Sequence, residues 1–239
     1  ILHWHSDILG KGLVYKLVKG LERKMIERAD YILATSPNYI DDSEPINRFH
    51  EKIRVLPNAV QTMALDLKPE DEKAIREIRE RYSGKSIVFI VGRHVPYKGI
   101  DLLIESEQYI RSDVKILIGG NGPETDNLKR MAEGKERITF LGRLSSDALR
   151  QYLWAADILG FSSNTKAEAF GIALAEGMYC KAVPVTFTIK GSGVNWVSVN
   201  NETGIEVELN NAKAYAEAID KIISSQQLKE KYAEAARNR

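Results

Sequence analysis

One cysteine, Cys180, occurs in the 239 residues, so an internal disulfide is excluded and a reducing cytosol is the compartment to expect. Flanked by Met178 and Tyr179, that thiol reads as a small core residue, not a nucleophile. No apolar run approaches the ~20 residues of a membrane span. Excess charge is missing too: 34 Lys and Arg face 33 Asp and Glu, which argues against a dedicated nucleic-acid binder. There is no signal-peptide pattern, no internal repeat and no low-complexity tract. No Asp-x-Asp pair occurs, so that pattern for holding a divalent ion is absent. The chain opens with Ile1 inside what reads as a strand and closes mid-helix at Arg239, as a fragment of a longer protein would.

What is present is an alternation. Short apolar runs at 87–91, 114–118, 138–141, 158–161, 183–186 and 204–207 predict strands. Helical segments at 100–110, 125–133, 145–155, 171–179 and 194–199 lie between them. That order implies βαβ units and an α/β fold with a parallel sheet covered on both faces, whose ligands bind at the strands' carboxyl ends. Ahead of it come a strand end at 1–7, a helix over 12–29, and strands at 31–34 and 53–56. Val14, Leu17, Leu21 and Met25 form one side of that helix, and Thr-Ser-Pro-Asn at 35–38 is a helix-start signal. A charged helix spans 69–81, and the domain boundary falls near 60–68.

The central stretch is Glu168-Ala169-Phe170-Gly171-Ile172-Ala173-Leu174-Ala175-Glu176. It puts Glu168 in a loop, Gly171 at a helix start and Glu176 inside the helix, tipped back toward its amino end. The first N–H groups of a helix have no internal partner and suit an anion or a hydroxyl. Gly171 would let a ligand approach the backbone. Two readings are open: the carboxylates grip hydroxyls on either side of a diphosphate, or Glu168 is a cap and Glu176 a solvated glutamate.

Gly92-Arg93-His94-Val95-Pro96-Tyr97-Lys98-Gly99 follows the strand at 87–91. Its two cations suit a diphosphate, unless they are ordinary surface charges. Gly119-Gly120-Asn121-Gly122-Pro123 tempts a dinucleotide reading, but Pro123 sits in the middle of the pattern. Gly142-Arg143 also ends the next strand where that fingerprint wants an acidic residue. A tight loop entering a helix is the better account. Arg143 and Leu144 offer a plane and backbone groups to a base. Gly191-Ser192-Gly193 either closes on a ligand or turns the chain.

Taken together, Gly92-Arg93 with Lys98-Gly99, Gly120-Asn121-Gly122-Pro123, and Glu168 spaced from Glu176 as E-x7-E resemble the retaining GT-B glycosyltransferases of family four. The sequence from Gly191 to Val197, followed by Thr203-Gly204, is most similar to the bacterial branch building lipopolysaccharide O-antigen and capsule chains. The resemblance implies two Rossmann-like domains. Residues 1–62 would be the end of the N-terminal acceptor domain, without its glycine-rich loop. Residues 63–225 would be a nearly complete C-terminal donor domain, and 226–239 the start of a terminal helix. Departures are Cys180-Lys181-Ala182, where a glycine-containing turn is more usual, and Thr188-Ile189-Lys190 before Gly191, where many members have proline.

By the same resemblance the activity is hexosyl transfer from a UDP-, GDP- or ADP-sugar to a glycan or lipid-linked acceptor, with retention. No metal or other cofactor is implied; Arg93, Lys98 and the helix start at Gly171 and Ile172 would replace one. Gly92, Gly120, Gly122, Arg143 and Leu144 would line the donor. Glu176 would bind ribose, and Glu168 with backbone groups of Phe170, Gly171, Ile172 and Ala173 would hold the sugar. His5 would be the active-site histidine, with His3 disfavoured because its register points it into the sheet. The competing readings are a sugar-nucleotide epimerase of the same fold and an inactive nucleotide-sugar-binding fragment. The helix at 12–29 carries Lys11, Lys16, Lys19, Arg23, Lys24 and Arg28 against Glu22 and Glu27. It therefore suggests a basic face for an anionic membrane at the inner surface of the cell, set against an ordinary solvated face.

Overall fold

The computed structural model describes residues 1–8 and 12–239, and it contains two parallel sheets. The first is built of β1 (Leu2–Trp4), β2 (Ile32–Ala34) and β3 (Ile53–Val55), in that spatial order. Helix α1 (Gly12–Arg28) connects β1 to β2, and α2 (Pro37–Asp42) follows β2. Helix α2 starts where the sequence signals it: the Ser36 hydroxyl accepts from the Tyr39 N–H at 3.3 Å and Pro37 occupies the first turn. Trp4, Ile26, Ile32, Tyr39 and Ile46 form this lobe's core.

Helix α1 turns inward a side other than that of Leu17, Leu21 and Met25. Ile26 and Glu22 are buried, whereas Leu17, Leu21 and Met25 are 82%, 69% and 48% exposed. The helix has two stripes, and the buried one carries a carboxylate whose Oε2 accepts from the Tyr15 hydroxyl at 2.7 Å. That bond, with burial, pushes the tyrosine pKa up to about 12. Lys11 and the Val14 side chain lie outside what is described. His3 is also corrected. It is exposed on the same side of β1 as His5, with ring centres 6.2 Å apart, while Trp4 between them enters the core.

A short helix α3 (Thr62–Leu65) precedes α4 (Asp71–Arg81) and the second sheet. Its strands are β4 (Ser86–Val91), β5 (Val114–Gly119), β6 (Ile138–Gly142), β7 (Ile158–Phe161), β8 (Val183–Phe187) and β9 (Ile205–Val207). Between them run α5 (Ile100–Ser106), α6 (Thr125–Met131), α7 (Ser146–Ala155), α8 (Ile172–Tyr179) and α9 (Val194–Val197). Two closing helices, α10 (Ala212–Ile223) and α11 (Gln226–Asn238), complete the chain. The sheet order is β6-β5-β4-β7-β8-β9. Strand direction of travel therefore reverses at β4, opening a crevice beyond the carboxyl ends of β4 and β7.

Helices α5, α6 and α10 pack on one side, and α4, α7, α8 and α11 on the other. Ile87, Val88, Phe89, Ile116, Leu117 and Ile118 between them have no exposed surface, as covered parallel strands require. The helix expected at 194–199 shrinks to the single turn α9. The Ser192 hydroxyl accepts from Val194 N–H, and Thr203 accepts from Val199 N–H at 2.8 Å, closing it. Cys180 is buried and its thiol is pushed up to about 12 by desolvation, which leaves it unreactive. Lys181 adopts φ +66° in the turn where the resemblance would put a glycine.

The segment joining the two lobes is pinned by a buried ion pair. Arg150 of α7 donates to Asp71 at 2.7 and 3.0 Å, Gln151 adds a bond at 2.9 Å, and the Lys68 N–H adds another at 2.9 Å. The Arg150 guanidinium holds the Asp71 carboxyl well below the usual carboxylate range. Removing Asp71 leaves the buried guanidinium only one carboxylate, that of the exposed Asp147 at 2.8 Å. Asp71→Ala is therefore expected to cost about 3–5 kcal/mol in urea unfolding; a loss under ~1 kcal/mol would mean that Arg150 finds water instead.

Candidate functional site

Two loops converge at the crevice, one after β4 (residues 92–99) and one after β7 (residues 162–171). Main-chain and side-chain bonds hold them together: Asn164 N–H donates to the Tyr97 carbonyl at 3.0 Å, and the Ser162 hydroxyl to the Lys98 carbonyl at 3.0 Å. This places the Lys98 ammonium against the Glu168 carboxylate in an ion pair whose side chains are 17% and 11% exposed. Ser163 donates to the same carboxylate at 2.9 Å. Lys98 also lies 5.4 Å from the centre of the Phe161 ring and 5.5 Å from that of Tyr97. The structure thus brings together a cation and a carboxylate that are 70 residues apart in sequence.

Gly171 precedes α8 at φ +87°, and a Cβ there would press on the Phe161 ring. The chain's own turn and packing already require glycine there. Helix α8 then starts at Ile172, half exposed, with its first N–H groups free of internal partners. The Phe170 side chain is buried beside Trp196, ring centres 6.3 Å apart, so this residue offers the crevice only backbone. Glu176 lies one turn into α8 and makes no ion pair among the described residues. Burial raises its pKa above the ordinary 4.5.

Arg93 and Arg143 are exposed at the ends of β4 and β6, without ion-pair partners among the described residues. Leu144 is half buried. Gly120 and Gly122 serve the scaffold: a Cβ on Gly120 would overlap the Gly92 carbonyl, and one on Gly122 the His94 backbone. Two loops can cross only because both lack side chains there. His94 is buried below them, its Nδ1 2.9 Å from the Thr125 hydroxyl, and desolvation lowers its pKa, so it is neutral at pH 7. His94 and Lys166 act through contacts between distant segments, which no spacing announces, whereas Ser163 meets Glu168 within one loop. Gly191-Ser192-Gly193 is a packed turn, with Ser192 buried and its hydroxyl donating to the Glu168 carbonyl.

His5 stands at the end of β1 on the first lobe. Asp7, two residues on, reaches the second lobe, where its Oδ2 lies 3.2 Å from Lys166 Nζ. The loop carrying His5 and the loop carrying Glu168 therefore meet at the seam.

Residues 71–239, which contain α4 to α11 and both crevice loops, match the family of glycosyl transferases group 1. The chain belongs to that family. This group 1 glycosyltransferase is 26% identical over 241 residues to the O-antigen chain mannosyltransferase C of Escherichia coli, covering 100% of the chain and 63% of that protein. It is 30% identical over 225 residues to the D-rhamnosyltransferase WbpZ of Pseudomonas aeruginosa, covering 92% and 56%. The chain thus spans about three fifths of these relatives' length. Anabaena HepE, solved with UDP and glucose, superposes with a TM-score of 0.82 at 19% identity over 99% of the chain and 66% of its own. WaaG, a glycosyltransferase involved in lipopolysaccharide biosynthesis, gives 0.75 at 17% identity, over 99% and 69%. The architecture is the GT-B fold, with a Rossmann-like second lobe.

Proposed function

We propose that the group 1 glycosyltransferase moves a hexose from a nucleotide-diphosphate sugar to a glycan or lipid-linked acceptor in cell-surface polysaccharide synthesis. Configuration is retained and no metal ion takes part. The observation that carries this reading is the Lys98–Glu168 pair beside the open amino end of α8. Lys98 and Arg93 neutralise the diphosphate as the bond from the anomeric carbon to the phosphate oxygen breaks and the electron pair leaves with phosphate. Glu168 orients the sugar hydroxyls. Held by Lys98 and Ser163, its carboxylate is a poor nucleophile, which favours same-face attack by the acceptor hydroxyl, whose proton passes to the departing phosphate oxygen. Arg143 and Leu144 face the base, and His5 meets the sugar from the first lobe. The similarity to an O-antigen chain mannosyltransferase supports a polysaccharide acceptor.

The exposed face of α1 bears on where that acceptor is met. Lys24 and Arg28 share a hollow with Leu21 and Met25, and Leu17 stands fully out beside them. Lys19 pairs with Glu44 and Arg23 with Glu27, so the basic surface is smaller than the sequence count. An apolar stripe edged by cations suits an anionic membrane interface.

The full-length protein, with a lipid-linked acceptor in anionic liposomes and a panel of nucleotide sugars, tests these points together. At 100-fold excess over Kd the right donor should raise Tm by about 5–10 °C. Transfer should persist in EDTA, the product should keep the donor's anomeric configuration by NMR coupling, and the protein should float with the liposomes at low salt. Inversion, or loss of transfer on chelation with rescue by Mg²⁺, contradicts the mechanism. Release of free sugar without an acceptor favours the epimerase, and failure to float removes the membrane. Glu176 adds a pH dependence. If it accepts from ribose hydroxyls, it must be ionised, so nucleotide affinity should fall as pH drops through a midpoint above 4.5. Glu176→Gln should flatten that fall; an unchanged profile assigns the proton elsewhere.

A further inference from the structure

Across the seam between the lobes one ammonium is surrounded by the other lobe's oxygens. Lys166, in the loop after β7, has its Nζ 3.2 Å from Asp7 Oδ2 and 3.1 Å from Asp42 Oδ2, and it donates to the Asp42 carbonyl at 3.0 Å. Its side chain is 24% exposed, and that of Asp7 only 6%. Asp7 is fixed from behind. Its Oδ1 accepts from Trp4 Nε1 at 3.0 Å and from the Ser43 hydroxyl at 2.6 Å, while its N–H donates to the Tyr39 hydroxyl. Burial works against the lysine's charge, but Asp42 and Asp7 outweigh it and hold the pKa above its ordinary value.

The neighbouring contacts are weaker or apolar. Lys190 reaches Asp42 only at 3.9 Å and is 93% exposed. Thr35 donates to the Ala169 carbonyl at 3.5 Å, and Ala169 packs on the first lobe's core. Lys166 is therefore the fixed charge at this seam among the described residues. It also sits at a telling place in the chain: two residues before Glu168, against a carboxylate two residues after His5.

We propose that Lys166 is a positioning residue, whose clamp on Asp7 and Asp42 sets the register between the loop of His5 and the loop of Glu168. The functional reading given above supplies the roles of those two residues, and the clamp adds how they are held at a fixed separation. Glycosyl transfer depends on sub-ångström placement of acceptor against anomeric carbon, and a misplacement of ~1 Å from a remote change costs on the order of 100-fold in rate. On that reading the donor's diphosphate and base are held by residues of the second lobe and do not need the clamp.

The test uses the full-length protein. Lys166→Met should lower kcat by about 100-fold while nucleoside diphosphate affinity stays within ~3-fold, and Lys166→Arg should recover most of the loss. Asp7→Asn should lower kcat similarly, and adding it to Lys166→Met should cost little more. A second readout is independent of activity. Spin labels at Glu51→Cys and Lys129→Cys report the distance between lobes, because native Cys180 is buried. Lys166→Met should broaden or lengthen that distribution, and raised salt should do the same to the wild type more weakly. An unchanged distribution, an unchanged kcat, or equal loss of diphosphate affinity and kcat would overturn the clamp. Wild-type protein inactive with every donor would instead defeat the functional reading, and the label distances would still decide the clamp.

Discussion

The contact between the Lys98 ammonium and the Glu168 carboxylate is the constraint around which the second lobe is arranged. It joins the loops after β4 and β7 where the sheet changes direction. It would be costly in a nearly dry crevice without Ser163 and the Phe161 and Tyr97 rings to complete its surroundings. The two charges satisfy each other. On the proposed reading a diphosphate and a sugar hydroxyl divide them, and the pair is a preorganised site with its charges stored in place.

Much of the remaining architecture keeps those loops at their separation. Gly120 and Gly122 allow the turns after β4 and β5 to cross backbone on backbone, and neutral His94 fills the space below them. Gly171 supplies the left-handed step that turns α8 toward the crevice. The Asp71–Arg150 pair anchors the interlobe segment to α7 on the far side. At the near side Lys166 ties the second lobe to Asp7 and Asp42. The first pair holds the interlobe segment to the second lobe, and the second crosses the seam to the first.

The second sheet was legible because its strands are continuous apolar runs, which only a sheet covered on both faces can bury. The motif residues Lys98, Glu168 and Glu176 were legible through resemblance, and the structure puts the first two in contact. The inward side of helix α1 was not legible: it has two apolar stripes, and the inner one is disguised by Glu22, which accepts from the Tyr15 hydroxyl. His3 was misjudged because the register of a three-residue strand at a chain's start cannot be fixed by pattern. Helix α10 was legible and went unnoticed: Tyr215, Ile219 and Ile222 recur at helical spacing along its buried side. His94 and Lys166 had no local signal at all, since their partners lie on another segment or the other lobe; Ser163 meets Glu168 within one irregular loop, where no regular period marks the contact.

Isothermal titration of Lys98→Met and Glu168→Gln with a nucleoside diphosphate and with the matching nucleotide sugar tests the central claim most directly. The account predicts that Lys98→Met weakens both ligands by about 10-fold or more, as loss of a charge-assisted bond should. Glu168→Gln should spare the nucleoside diphosphate and weaken only the ligand carrying the sugar. Wild-type affinities in both variants would contradict it, and so would equal losses for both ligands in Glu168→Gln.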